Sequence, residues 1–356
     1  MPSNGKQPVT ESDSRRTTPT LGRRGMLKTL GAGLAAASFA GCQSTPGSSG
    51  GDSSSIKFYS AAEDTAGYAM TQGISTIVNE NSDSLNVEAR PSAGTKQSMQ
   101  LLNQGEADIA FTALVNAHNI VNEKGAYADS PFDVEIQQLW HWYDAGFNWA
   151  FEESSGLEYV RDFAGKNIAT HETGSSIHAA ALKHLGHAVD VDDVNKRTLS
   201  YTAENSALSE GSVDAALDAR INGAITPGYD EQMYKQFDDL RVAKWSDDAI
   251  EFVKSDQTAN GGMYEPNDAQ PDGYFGGRDE AWWPEVVYIA FATPEMDQET
   301  INEFMTTFWE NKDGAGEYHG LLNFWKDAEF WSAKFSDLIG VHSGAEAFFD
   351  SQDVDV

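Results

Sequence analysis

The chain is poor in cysteine, in positive charge and in long apolar runs, and each shortage excludes something. Its one cysteine, Cys42, rules out an intrachain disulfide and any structural zinc site built on paired thiolates. Lys and Arg number 24 against 55 Asp and Glu, a formal charge of −31. Without a basic footprint to meet phosphates, a nucleic-acid partner is disfavoured. Beyond residue 42 no apolar run approaches the length that crosses a bilayer. Outside the Ser/Gly-rich run at 47–51 there is also no Gly-x-Ser-x-Gly, and there is no phosphate-binding P-loop and no His-Glu-x-x-His. Carboxylate pairs abound, but in so acidic a chain they say little about acid–base catalysis. What is present is 356 residues, 40% apolar and 11% aromatic, a globular composition long enough for two domains.

The charge is unevenly placed. Residues 1–42 hold six bases and two acids, so residues 43–356 carry 18 bases and 53 acids, net −35. The acids are spread along the chain rather than gathered in a tail. At about 1 M salt the Debye length is only about 3 Å and such charges stop repelling one another, so the acidity reads as adaptation to a very salty exterior. The competing reading, a field that steers a cationic ligand, is weakened by the same screening.

The N-terminus reads as an address. Arg23-Arg24-Gly25-Met26-Leu27-Lys28 precedes an apolar run from Leu30 to Ala40, and Phe39-Ala40-Gly41-Cys42 follows. Paired arginines before a short apolar stretch resemble a twin-arginine export signal, and small residues before Cys resemble a lipobox. About eleven apolar residues are too few to span a hydrocarbon core roughly 30 Å thick. Residues 1–42 are therefore expected to be a lipoprotein signal, with lipid on Cys42 and a Ser/Gly-rich tether over 43–55. The run Gly31-Ala32-Gly33-Leu34-Ala35-Ala36 mimics a dinucleotide fingerprint but follows no strand.

From Ile56 onward, short β-rich runs alternate with amphipathic stretches. The pattern predicts strands at 56–59, 86–89 and 107–111 and helices at 68–79 and 96–104. The rhythm restarts with a strand at 165–170, a helix at 175–185 and a helix end at 212–217. The aromatic stretch 139–151 suits a crossover between the two units, 289–293 suits the return, and helices are expected at 298–311 and 328–339. Such alternation indicates an α/β fold with a mostly parallel sheet, in which ligands bind beyond the carboxyl ends of strands. Three strand-to-helix loops then stand out, at 60–68, 92–98 and 170–177, all rich in Ser, Thr and Gly. Such residues cap helices as readily as they cradle a ligand.

These segments carry a resemblance. Ser60-Ala61-Ala62-Glu63-Asp64-Thr65-Ala66-Gly67-Tyr68, Ser92-Ala93-Gly94-Thr95, Leu101-Leu102-Asn103-Gln104-Gly105-Glu106-Ala107-Asp108, Phe163-Ala164-Gly165-Lys166, Thr173-Gly174-Ser175-Ser176 and Val341-His342-Ser343-Gly344-Ala345 with Phe348-Phe349 follow in order. Together they resemble the TAXI family of solute receptors from TRAP transporters, over most of residues 56–350. The chain departs from the family pattern at Glu63, Asp64, Lys96, Ser98, the run Thr112-Ala113-Leu114, His171 and Glu172.

The resemblance implies a two-lobed periplasmic-binding-protein-like α/β fold with a hinge of two crossover segments. One lobe would comprise 56–142 and 290–356, the other 143–289. It implies an extracytoplasmic, non-enzymatic receptor without cofactor or metal, held to the membrane only by its lipid, that delivers a small carboxylate such as glutamate to TRAP membrane subunits. Backbone N–H groups at Thr95 and Ser175 would hold the anionic group, with Thr65, Tyr68, Gly94, Thr112, Gly174 and Ser176 around it and Lys96 as counter-ion. A sensor that reports to a signalling kinase is the alternative of the same fold, and an extracellular hydrolase the alternative of another class. His171, His178, His184 and His187 crowd one region but are expected at the surface, and His342 is expected to be a structural hydrogen bonder near the cap of the last helix rather than a catalyst. Trp140, Trp142, Trp282 and Trp283 are expected in the core.

Overall fold

The computed structural model describes residues 54–63, 65–172, 175–256 and 259–356. The signal, Cys42, most of the tether and Gly174 lie outside the described residues. Ile56 and Phe58 point inward while their neighbours are partly exposed, which makes β1 (Ser54–Tyr59) a strand and takes it two residues into the stretch read as tether. Met70, Ile74, Ile77 and Val78 recur at helical spacing and form the buried stripe of α1 (Ala66–Asn81). Then come β2 (Leu85–Arg90), α2 (Thr95–Asn103), β3 (Ile109–Ala113), α3 (Leu114–Val121) and the long β4 (Gln137–Glu152). A second series follows: β5 (Asn167–Ala169), α4 (Ser176–Leu185), β6 (Asn195–Arg197), α5 (Tyr201–Ser209), β7 (Ala216–Ile221), α6 (Gly228–Gln236), β8 (Leu240–Val242), α7 (Asp247–Ser255) and β9 (Asn260–Tyr264). The chain returns through β10 (Ala281–Ala292) and closes with α8 (Gln298–Glu310), α9 (Ala328–Ser332) and α10 (Ser343–Ser351).

The main sheet runs β2-β1-β3-β10-β4-β7, with β8 also on β4 and β9 also on β10. β1 is parallel to β2 and β3, whereas β10 is antiparallel to β3, β4 and β9. β4 gives its first part to β10, Gln137 opposite Ala292, and its last part to β7 and β8, Ala150 opposite Ala216 and Val242. β10 likewise pairs Tyr288 to Phe291 with β3 but Ala281 to Glu285 with β9. Each long strand thus belongs to one α/β series at one end and to the other series at the other. This is the two-lobed periplasmic-binding-protein-like architecture, with two strands running through both lobes.

Four expectations need correction. The sheet is mixed rather than mostly parallel, because the two long shared strands β4 and β10 run antiparallel to each other and to β3, β7, β8 and β9. The return crossover starts at Ala281, eight residues earlier than 289, and takes in Pro284, a residue that is unusual inside a paired strand. Residues 212–217 are not a helix end: α5 stops at Ser209, Gly211 turns in the left-handed region at φ 67°, and the chain enters β7. Asp218 and Arg220 are buried in β7, so its polar residues hid a core strand. The helix foreseen over 328–339 ends at Ser332, since Ser336 N–H donates to Gln138 Oε1 at 2.8 Å and Ser336 Oγ meets His118 Nε2 at 2.7 Å.

The core reading of the tryptophans holds. Trp140 and Trp142 lie against Trp325 at centroid distances of 5.9 and 5.1 Å, and Trp325 Nε1 donates to Trp142 O at 3.0 Å. Trp282 and Trp283 are buried at the other end of β10. Among the described residues no helix is long and apolar enough to cross a membrane.

Candidate interlobe binding site

β1, β2 and β3 run parallel, so α1 and α2 begin at one edge of the sheet. Thr65 caps α1: its Oγ1 accepts from Tyr68 N–H at 3.3 Å and donates to Ala62 O at 2.7 Å. Two residues on, Gly67 lies so close to Phe111 that a Cβ would sit 2.5 Å from the ring. α1 therefore starts directly on the Phe111 face. α2 starts at Thr95 behind Gly94, whose φ of 137° suits glycine alone, and Ser98 Oγ donates to Ser60 O at 2.5 Å to tie α2 to the end of β1. Lys96 is exposed on this helix. Thr112 is fully buried and its hydroxyl accepts from Asn116 Nδ2 at 3.4 Å; by strand alternation it faces away from Phe111.

The other lobe contributes α4. Ser175 is its cap: Oγ accepts from Ile177 N–H at 3.1 Å and lies 2.9 Å from the Tyr201 hydroxyl. Its own N–H is turned to Glu172 O at 2.9 Å, so Ser175 does not offer the free N–H expected of it. Ser176, the first helical residue, is the one that approaches the long strands, beside the Tyr288 hydroxyl.

Between these helix starts lies an aromatic floor missing from the sequence reading. Tyr143 of β4 and Tyr288 of β10 are direct cross-strand partners with centroids 4.7 Å apart, and Phe111 of β3 is 6.1 Å from Tyr288. Burial pushes the Tyr143 hydroxyl up and Tyr288 to about 12, so both stay protonated donors. One run of contacts therefore leads from α1 through Gly67, Phe111 and Tyr288 to Ser176 on α4. The wall beyond is Tyr201 and Tyr229, 4.9 Å apart at the starts of α5 and α6. Burial raises both hydroxyls, and the charged groups that raise them further are carboxylates, Glu172, Glu204 and Asp230 on Tyr201 and Asp230, Asp218 and Glu204 on Tyr229.

The histidines correct another expectation. His171 and His184 are buried, not at the surface. His171 adopts φ 57°, and Glu204 Oε1 accepts both its N–H at 2.7 Å and its Nδ1–H at 2.6 Å, which holds the loop after β5 in an unusual conformation. Glu204 Oε2 accepts from Leu217 N–H at 3.0 Å, so one carboxylate knits loop, helix and strand together. His184 lies under β9 and burial lowers it to about 4. His178 and His187 are partly exposed. His342 caps α10 as expected, its Nδ1 accepting from Gly344 N–H at 3.1 Å. Among the described residues no group of three or more His, Cys, Asp or Glu is arranged to hold a metal ion.

Two lobes on two shared strands, with helix starts from each lobe near one aromatic cluster, define the class as a two-lobed α/β protein of the periplasmic-binding-protein type. The chain belongs to the NMT1-like family, which matches residues 60–352. No curated protein matches it. Solved structures similar to it include the periplasmic aliphatic sulphonate binding protein of Escherichia coli, 14% identical, with 83% of this chain and 82% of that one covered and a TM-score of 0.44. The putative periplasmic sulfonate-binding protein of Methylobacillus flagellatus is 14% identical over 84% and 87%, TM-score 0.45. The second substrate-binding domain of GlnP from Lactococcus lactis is 12% identical over 77% and 97%, TM-score 0.37. Likeness at this level says nothing about the ligand.

Proposed function

We propose that this chain is an extracytoplasmic solute receptor that closes two lobes, 56–142 with 290–356 and 143–289, on a small carboxylate such as an amino acid. The observation that carries this reading is the convergence of α1 and α4, one from each series, on the floor of Phe111, Tyr143 and Tyr288. A ligand carboxylate at the α4 end would meet backbone N–H and a positive dipole end from one lobe, and the Thr65 to Tyr68 and Gly94 to Lys96 segments from the other. Such a ligand binds both lobes only when they close, which couples recognition to hinge motion in β4 and β10.

The resemblance to TAXI receptors supports delivery to TRAP membrane subunits, rather than catalysis, as the outcome of closure. The twin-arginine pair and the lipobox support export and a lipid anchor at Cys42, and the net −35 of residues 43–356 supports a salty exterior. Mass spectrometry of the purified protein identifies what it carries. Calorimetric titration of that compound into two variants then tests the site. Ser176→Ala removes the hydroxyl and keeps the N–H. Ser176→Pro removes the N–H as well, at a first helical position where proline is tolerated. A hydrogen bond to a charged group is worth about 1.5–3 kcal/mol, so Ser176→Pro should bind about ten- to a hundredfold more weakly than Ser176→Ala. Equal affinities would remove the α4 end from the site.

A further inference from the structure

At the far end of the second lobe, bases gather in a chain that has few of them. A recess of about 270 Å³ lies beside Phe151 and is lined in part by Arg241, Lys244, Arg278, Glu153 and Glu158. Phe151 is eight residues beyond Tyr143 along β4, about 26 Å at roughly 3.3 Å per residue, so the recess is separate from the cleft. Three cations and two carboxylates leave a local charge of +1 in a chain of net charge −31. Two of the cations are paired, Arg241 Nη2 with Glu153 Oε2 at 2.7 Å and Lys244 Nζ with Glu158 Oε1 at 2.6 Å.

Arg278 differs. It makes no ion pair among the described residues; its Nε donates to Phe275 O at 2.7 Å, and its Nη2 is buried with no hydrogen-bond partner. Burial lowers its pKa and outweighs Tyr159 and Glu158, which pull it the other way from beyond ion-pair distance. A buried guanidinium nitrogen without an acceptor is costly. Its position is nevertheless built: Gly273, Gly276 and Gly277 take φ of 74°, 63° and 77°, left-handed values that shape the turn carrying Arg278 into the recess. A fourth base, Arg161, stacks 4.1 Å from the Tyr159 ring that Lys244 also approaches, at 5.7 Å.

We propose that this recess binds a small oxyanion bearing two or more negative charges, with Arg278 as its principal partner and Arg241 and Lys244 beside it. The guanidinium fork matches phosphate, sulfate and carboxylate oxygens, and a multivalent anion would satisfy Arg278 without displacing Glu153 and Glu158 from theirs. The site is independent of the cleft reading.

Inorganic phosphate, sulfate and citrate, each titrated by calorimetry into the full chain in chloride buffer, distinguish the oxyanion sources. At least one should bind, and Arg278→Gln should weaken that binding at least tenfold while Ser176→Pro leaves it unchanged. Lys244→Gln, on a partly exposed side chain, is carried in parallel and should weaken it less. Loss of binding in Arg278→Gln, with a native near-ultraviolet dichroism spectrum, supports the proposal. No binding of any of the three anions to the unmodified chain, or binding to Arg278→Gln as tight as to the unmodified chain, overturns it.

Discussion

The two lobes bury different kinds of polar group. In the first, the fully buried polar side chains are hydroxyls, an amide and imidazoles: Ser60, Thr71, Ser98, Thr112, Gln138, His118, His141 and His342. The second buries Glu204, Asp218, Arg220 and Asp230. Asp144 and Glu285, also buried, belong to the two shared strands, where Lys334 reaches both at 3.7 and 3.0 Å. The first lobe is thus held by apolar and aromatic packing, with neutral hydrogen bonds filling the gaps. The second depends on the ionisation of groups taken out of water. Its Asp218 accepts from the hydroxyls of Tyr234 and Tyr274, Asp230 Oδ2 accepts from Ala219 N–H at 3.2 Å, and burial pushes both carboxyls up, Asp218 to about 6. A lobe built this way fixes its polar geometry at the expense of sensitivity to charge.

The contrast breaks most sharply at Arg220. This side chain is fully buried, donates to Gly223 O, Glu265 O and Gln270 Oε1, and lies 5.2 and 5.5 Å from the rings of Trp283 and Phe275. It also supplies the positive charge that favours ionised Asp218. Arg220→Ala leaves three acceptors unfilled and Asp218 without its counter-charge, a loss of about 3–5 kcal/mol. Arg90 of the first lobe, paired with Glu88 at the surface, should give no measurable change when truncated. Urea unfolding followed by tryptophan fluorescence compares the two; similar midpoints would erase the distinction between the lobes.

Asp218 gives the next effect, and it depends on pH. A carboxyl at about 6 in the folded chain and 3.8 otherwise binds more protons folded than unfolded between those values, so it makes stability fall as pH rises from about 4 to 6. A displacement of that size corresponds to about 3 kcal/mol. His184 of the same lobe, lowered to about 4 by burial, acts in the opposite sense, adding stability as pH rises from about 4 to 6.5. Asp218→Asn removes the falling contribution, so the slope of stability between pH 4 and 6 should become more positive than in the unmodified chain. Unfolding midpoints at a series of pH values check this; an unchanged slope would mean that Asp218 is ionised throughout.

Much of the first lobe was legible because its residues obey local rules. Met70, Ile74, Ile77 and Val78 announce a helix, and the aromatic run at 139–151 announces a strand buried on both faces. The second lobe obeys them less, since Asp218 and Arg220 lie where β7 should be apolar and Pro284 lies inside β10. The caps of the candidate site were equally legible, Thr65 before α1 and Ser175 before α4, because capping involves neighbours two or three residues away. Its floor was not. Phe111, Tyr143 and Tyr288 come together through strand pairing over more than a hundred residues, and no local spacing encodes that. Gly67 was the available signal: a glycine inside the first turn of a helix marks a close neighbour, here the Phe111 ring.

The smallest effect belongs to the first lobe and sharpens the contrast by its sign. His342 caps α10 through an unprotonated Nδ1, while Nε2 faces Met296 O at 3.1 Å, an arrangement that suits the neutral ring with its proton on Nε2. Burial lowers its pKa, which keeps the ring neutral. The folded chain then binds fewer protons here than the unfolded one, so the contribution is fully present above about 6.5, the ordinary histidine value, and is lost as pH falls through the lowered one. His342→Ala should cost about 1 kcal/mol at pH 8, the ordinary worth of a helix cap, and less at pH 4. His342→Asn keeps an oxygen acceptor that does not titrate, and should retain the cap at both pH values. Thermal melts of the three proteins at pH 8 and pH 4 separate a capping role from a packing one, because lost packing would make His342→Ala and His342→Asn equally unstable whatever the pH.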